Sequence, residues 1–182
     1  FCHGYEGRGK PSAGVLGMNF SGTSPIALHL ARMVLRLADK AVIYTNGADS
    51  LGDEIKSNLE DTGTQGAKSR ITVDNRPIVG FAMKSADCSD IVIKFEDGSE
   101  VVEGFLAHGP MGQVNGPFAE QLELELTPTG DIKTEGQMYE TKVKGVFAVG
   151  DCATMMKAVP QAIGMGALAA GAVAAQLGLQ LA

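Results

Sequence analysis

Basic residues are scarce in this chain. Fifteen Lys and Arg against 21 Asp and Glu leave a formal charge of −6, with no basic stripe to displace counterions from a phosphate backbone, so nucleic acid is excluded as an expected partner. Cysteine is scarcer still. Cys2, Cys88 and Cys152 are odd in number and far apart, which makes neither a disulfide framework nor a zinc pattern. No metal site is expected, and a reducing, cytoplasmic setting fits best. The opening residues Phe1-Cys2-His3-Gly4-Tyr5 carry no initiator Met, no basic n-region and no apolar h-region. No signal peptide is read there, and the chain is expected to be a C-terminal fragment of something longer. At 182 residues and 45% hydrophobic, it has enough for one large domain or two small ones.

The first half reads as alternating strands and helices. A strand and a glycine turn run from Lys10 to Gly22. A helix then opens at Thr23-Ser24-Pro25, with Ser24 as N-cap, Pro25 in the first position, and Ile26, Leu30, Met33, Val34 and Leu37 at helical spacing through Ala38. Lys40 to Thr45 reads as the next strand, and Leu51, Ile55 and Leu59 mark one face of a second helix ending near Gly63. This βαβα order implies a parallel sheet with right-handed crossovers. Beyond Arg70 come short strands: Ile78 to Met83, then a hairpin from Ile91 to Val102 turning at Asp97-Gly98. Phe105-Leu106-Ala107 returns to the parallel sheet. The Gly- and Pro-rich stretch from His108 to Pro117 marks a boundary between domains at 1–107 and 108–182.

The second half reads as a hairpin over Leu122–Leu126 and Ile132–Thr134, a short buried strand from Val146 to Val149, and a last helix from about Val159 to Leu181. That helix is apolar nearly all round, which admits a membrane span; its glycines, Gln161 and Gln176 instead favour a helix buried against a sheet or cofactor, with no membrane partner. Cys88 and Cys152 read as packing or surface residues, and His29 as packing within its helix.

Two features that nicotinamide dinucleotides require are missing. The fingerprint G-x-G-x-x-G needs its second glycine so that pyrophosphate can approach the backbone, but Gly17 is followed by Met18-Asn19-Phe20-Ser21. Beyond the next strand, Tyr44-Thr45-Asn46-Gly47-Ala48-Asp49 offers no arginine to a 2′-phosphate and only a late acid to ribose hydroxyls. A Rossmann-like domain without its nucleotide is the expected reading.

The stretch Thr141 to Ala153 carries the most chemistry. Gly150 lets the backbone come close to a bulky group, Asp151 offers a carboxylate to hydroxyls, and the helix beyond presents unpaired N–H groups. Taken alone, the turn reads equally as an ordinary connection. With its context, Thr141 and Phe147-Ala148-Val149-Gly150-Asp151 resemble the second flavin-binding motif of the thioredoxin-reductase-like flavoproteins. Cys2-His3-Gly4-Tyr5-Glu6 stands where that group has the second cysteine of its redox pair. Together with Ala27 to Leu37, it is most similar to the fungal FAD-dependent dithiol oxidases of the gliotoxin-oxidase kind.

The resemblance covers the whole chain. It implies an α/β fold, a Rossmann-like three-layer domain of the pyridine-nucleotide-disulfide-oxidoreductase type, followed by the C-terminal part of an FAD domain. It implies FAD as cofactor, without NADPH, and oxidation of a dithiol to a disulfide with oxygen as the electron acceptor. Cys2 would pass electrons to the flavin with His3 beside it. Gly150 and Asp151 would hold the ribityl chain, and the backbone of Gln161 and Ala162 would face the isoalloxazine ring. The partner would be a small-molecule dithiol or a thioredoxin-like protein, and the complete enzyme a homodimer. An NADPH-dependent thioredoxin reductase, or an inactive fragment serving as a binding module, are the alternatives.

Overall fold

The computed structural model describes residues 7–61 and 70–180. Cys2 and His3 lie outside them, as does the expected end of the second helix near Gly63. Contacts divide the chain into a first unit ending at Pro110 and a second beginning at Met111, within the Gly- and Pro-rich stretch 108–117.

In the first unit, β1 (Lys10–Leu16), β2 (Ala38–Tyr44), β3 (Ile71–Asp74) and β7 (Leu106–Ala107) make a parallel sheet in the order β3-β2-β1-β7. Successive side chains on a strand point to opposite faces, so each strand feeds two cores. On one face Ala13, Val15, Ala41, Ile43 and Ile71 pack against α1 (Ser24–Val34) and against Ile55 of α2 (Asp49–Asp61). On the other, Leu16 and Tyr44 meet Ile93 and Phe95 from the antiparallel sheet of β4 (Ile78–Met83), β5 (Ile91–Phe95) and β6 (Glu100–Glu103). Gly14 permits this second contact, since a Cβ there would stand 2.5 Å from Leu106 and 2.8 Å from the Tyr44 ring. Helices, parallel sheet and antiparallel sheet make the three-layer, Rossmann-like α/β architecture expected from the sequence.

Helix α1 departs from expectation at both ends. Thr23, with extended backbone, is the N-cap, and Ser24 is already helical, its buried Oγ accepting a 2.8 Å bond from the Asn58 amide. The helix stops at Val34, short of Ala38, because Arg36 and Leu37 bond back three residues to Met33 and Val34, and Ala38 is claimed by β2. The face turned to the sheet is Ser24, Ala27, Leu28, Ala31 and Val34. Small alanines bring the helix close to the strands, while Ile26 and Met33 are left half-buried at its margins. His29, read as a packing residue, is exposed.

In the second unit, α3 (Phe118–Gln121) precedes a turn at Thr127–Asp131. Among the described residues the hairpin expected there is one bridge, Leu126 to Ile132, closed by a turn in which Thr127 N–H donates to the Asp131 carbonyl, Gly130 N–H to the Thr127 carbonyl and Asp131 N–H to the Thr127 hydroxyl. Val146–Val149 forms a single bridge pair, Glu140 to Phe147, in place of a strand. Among the described residues only Tyr139–Thr141 lies alongside it, giving the bonds Thr141 N–H to Val146 O and Ala148 N–H to Tyr139 O.

The last helix, α4 (Val159–Gln180), is not the buried element its composition suggested. Met165 and Ala169 are buried, but Val159, Ile163, Leu177 and Leu179 are each more than half exposed. An apolar sequence marks a face that favours cover; it does not make these residues supply the cover. By length and composition alone, Val159–Leu179 is apolar enough to cross a membrane.

Candidate functional site

The chain reaches the Gly-Asp turn in extended form at Val149 and turns sharply at Gly150, whose φ of +74° lies in the left-handed region. Gly150–Cys152 then makes one 3-10 turn, and α4 begins at Val159. Among the described residues a Cβ on Gly150 would meet only the Cβ of Ala162, at 3.5 Å. The turn therefore sits directly on the first turn of the helix, which brings Gly150 and Ala162 together across a gap in sequence. Asp151 is exposed, and its carboxylate has no hydrogen-bond partner among the described residues.

The two backbone donors expected from Gln161 and Ala162 are not equivalent. The Ala162 N–H donates to the Ala158 carbonyl at 3.0 Å and is already spent. Gln161, one residue earlier, belongs to the opening turn whose N–H groups have no intrahelical acceptor. Among the described residues the open donor is that of Gln161, with the positive end of the α4 dipole behind it.

Beside the turn lies a cavity of about 390 Å³, lined among others by Gln113, Asn115, Phe118, Asp131, Asp151 and Lys157. Asp131 is buried and fully engaged. Lys157 Nζ donates to its Oδ1 at 2.8 Å, and the Thr129 hydroxyl donates to its Oδ2 at 2.7 Å. The bond from Lys157 first, then that from Thr129, holds the Asp131 carboxyl below the usual carboxylate range. Lys157 cancels the charge of Asp131, so Asp151 is the one carboxylate lining the cavity that lacks a partner among the described residues. Gln161 and Ala162 do not line it. Cys152 does, half-buried, with its thiol donating to the Val149 carbonyl at 3.3 Å.

The sequence gives no sign of Lys157 or Asp131. A lysine after two methionines and an aspartate in a Pro-Thr-Gly-Asp turn are ordinary in one dimension, and only the fold makes them neighbours.

Residues 17–166 match the family model for pyridine nucleotide-disulphide oxidoreductases. The chain belongs to that family. It is similar to thioredoxin reductase tcpT of Claviceps purpurea, 38% identical over 177 residues, which are 97% of this chain and 53% of that protein. It is also similar to thioredoxin reductase sirT of Leptosphaeria maculans, 40% identical over 180 residues, 95% of this chain and 52% of that protein. The chain thus spans about half the length of the curated relatives it matches. Among solved structures, the putative thioredoxin reductase TrxB of Bacillus anthracis shares the fold, with a TM-score of 0.75 at 21% identity over 99% of this chain and 55% of that one. An oxidoreductase of Agrobacterium tumefaciens gives 0.70 at 25% identity over 96% and 53%. Within the family, the chain is of the thioredoxin-reductase-like flavoprotein kind.

In this member of the family, the loop after β1 closes on itself. The Gly17 N–H donates to the Tyr44 carbonyl at 2.8 Å, and a 3-10 turn at Asn19–Ser21 fills the way to α1. Ser21 is buried, and its Oγ accepts the Gly109 N–H at 2.8 Å. The residues after β2 are also tied up: Asn46 Oδ1 accepts the Ile78 N–H at 2.7 Å, while Asn75 bonds both Thr45 and Asp49. Arg76, beyond β3, is paired with Asp74 and stacked over Phe95 with its guanidinium 3.9 Å from the ring centre.

Proposed function

We propose that this chain is part of an FAD-dependent thiol-disulfide oxidoreductase that oxidises a dithiol to a disulfide, with oxygen as the final electron acceptor. The observation that carries the flavin assignment is the Gly150-Asp151 turn. It presents an exposed carboxylate, unpaired among the described residues, next to a helix start whose Gln161 N–H lacks an acceptor among them. A carboxylate accepts from hydroxyls such as those of a ribityl chain, and a helix N-terminus suits a carbonyl or anionic oxygen. The residues present therefore fit FAD: Asp151 would hold the ribityl hydroxyls, Gly150 would allow close approach, and Gln161 would face the ring.

When bound, FAD supplies a two-electron acceptor that the protein's side chains lack. A substrate dithiol reacting with oxygen gives a disulfide and hydrogen peroxide, with two electrons and two protons leaving the thiols. Cys2 is assigned as the cysteine of this chain that faces the flavin and passes the dithiol's electrons to it. A thiolate is the nucleophile, and an unperturbed Cys titrates at about 8.5. His3, with an ordinary imidazole value of about 6.5, is assigned to take and return that proton near neutral pH. A small-molecule dithiol is the assigned substrate and a homodimer the assigned assembly.

The absence of NADPH from the reaction is supported by the closed loop at Asn19–Ser21 and by the polar groups after β2, which are spent on one another. The names of the fungal relatives favour the rival reading, an NADPH-dependent thioredoxin reductase. Anaerobic titration of the full-length flavoprotein separates the two. Bleaching of the flavin absorbance by a dithiol alone, reversed by air, is the expected result. Bleaching by NADPH would make the protein a reductase.

A further inference from the structure

Three acceptors meet at one ammonium group. Lys157 Nζ donates to Asp131 Oδ1 at 2.8 Å, to the Asp151 carbonyl at 2.6 Å and to the Thr154 carbonyl at 3.0 Å. An ammonium has three protons, and all three are used within the protein. Lys157 therefore has no donor left for a ligand, although it lines the cavity. It fixes the backbone of both Asp151 and Thr154 through their carbonyls. Asp131 is the anchor: buried, held by Thr129 at its second oxygen, and set in a turn closed by Thr127.

We propose that Lys157, anchored by Asp131, is the positioning residue of the cofactor site, fixing the direction of the Asp151 carboxylate without touching the ligand. This rests on the assignment of Asp151 to the flavin. The physical reason is that Gly150 leaves the turn conformationally free at its first residue, and nothing among the described residues bonds the Asp151 side chain. The carboxylate's direction is then set by its own backbone, whose carbonyl Lys157 holds. Neutral hydrogen bonds would hold it less well, since bonds from a charged donor are roughly twice as strong.

The test is a cycle of substitutions in the full-length protein, reading FAD affinity of the reconstituted apoprotein by flavin fluorescence, with the visible flavin spectrum as a second signal. Lys157→Met is expected to weaken FAD binding about tenfold or more, from the loss of charge-assisted bonds, and Lys157→Arg to recover part of it. Asp151→Ala is expected to weaken binding too, and Lys157→Met/Asp151→Ala to be no weaker than Asp151→Ala alone, because Lys157 acts through that carboxylate. Asp131→Asn, which keeps the shape of the anchor and removes its charge, gives the same reading if Lys157→Met does not fold. Unchanged affinity in Lys157→Met beside a weakened Asp151→Ala overturns the positioning role and leaves the flavin assignment standing; so do fully additive losses. Unchanged affinity in Asp151→Ala overturns the assignment itself, and the positioning role with it.

Discussion

The Tyr44 hydroxyl donates to Glu103 Oε1 at 2.5 Å, joining the end of β2 to the end of β6 between the two sheets. Both residues are buried, and Glu103 Oε2 has no partner among the described residues. Burial first, then the bond to Glu103, push the Tyr44 phenol far above its usual range, so the hydroxyl keeps its proton and remains the donor. A buried carboxyl group with one satisfied oxygen depends heavily on that one bond.

Tyr44→Phe is accordingly expected to destabilise the protein by about 1–3 kcal/mol, the cost of leaving a buried polar group unsatisfied. Adding Glu103→Leu should recover a large part of that loss, because replacing both partners removes the orphan. Urea unfolding midpoints of the two variants check this. A double variant that loses the sum of both single losses would contradict the account.

Acid should loosen the turn that holds the candidate site. Asp131 titrates below its unfolded value of about 3.9, so its contribution is fully present above that value and is lost as pH falls through the lower folded one. Thermal midpoints of wild type and Asp131→Asn, followed from about pH 6 down to about pH 2, should converge as the acid limit is approached. A constant gap between them across that range would show that the carboxylate's ionisation contributes nothing.

Gly150→Ala probes strain without a clash. The left-handed φ costs a non-glycine residue about 1–2 kcal/mol, while the added methyl would meet Ala162 at an ordinary 3.5 Å. A drop of a few degrees in Tm is expected, together with weaker FAD binding in the full-length protein. An unchanged Tm would mean the turn relaxes at no cost.

Much of the first unit is legible in the sequence because its signals are local. Alternation marks Ile91 to Phe95 as a strand, Asp97-Gly98 as its turn, and the four-residue spacing of Leu51, Ile55 and Leu59 as a helix; each depends on neighbours within a few positions. The Gly150-Asp151 turn is legible for the same reason, being a contiguous motif. The sheet-facing side of α1 is less legible, because large residues dominate a spacing pattern whereas contact with a sheet selects small ones such as Ala27 and Ala31.

By itself, then, the sequence determined most of the strands and helices of the first unit, its parallel α/β class and the location of one chemically promising turn. Tertiary structure alone decided that Lys157 reaches Asp131, 26 residues away, and that Tyr44 reaches Glu103, 59 residues away. It also decided which N–H of the pair Gln161 and Ala162 stays open, and that α4 lies largely exposed among the described residues. The reason is physical. Secondary structure follows from periodicities carried by adjacent residues, while the satisfaction of a buried charge or hydroxyl depends on which distant segment the fold brings within about 3 Å of it.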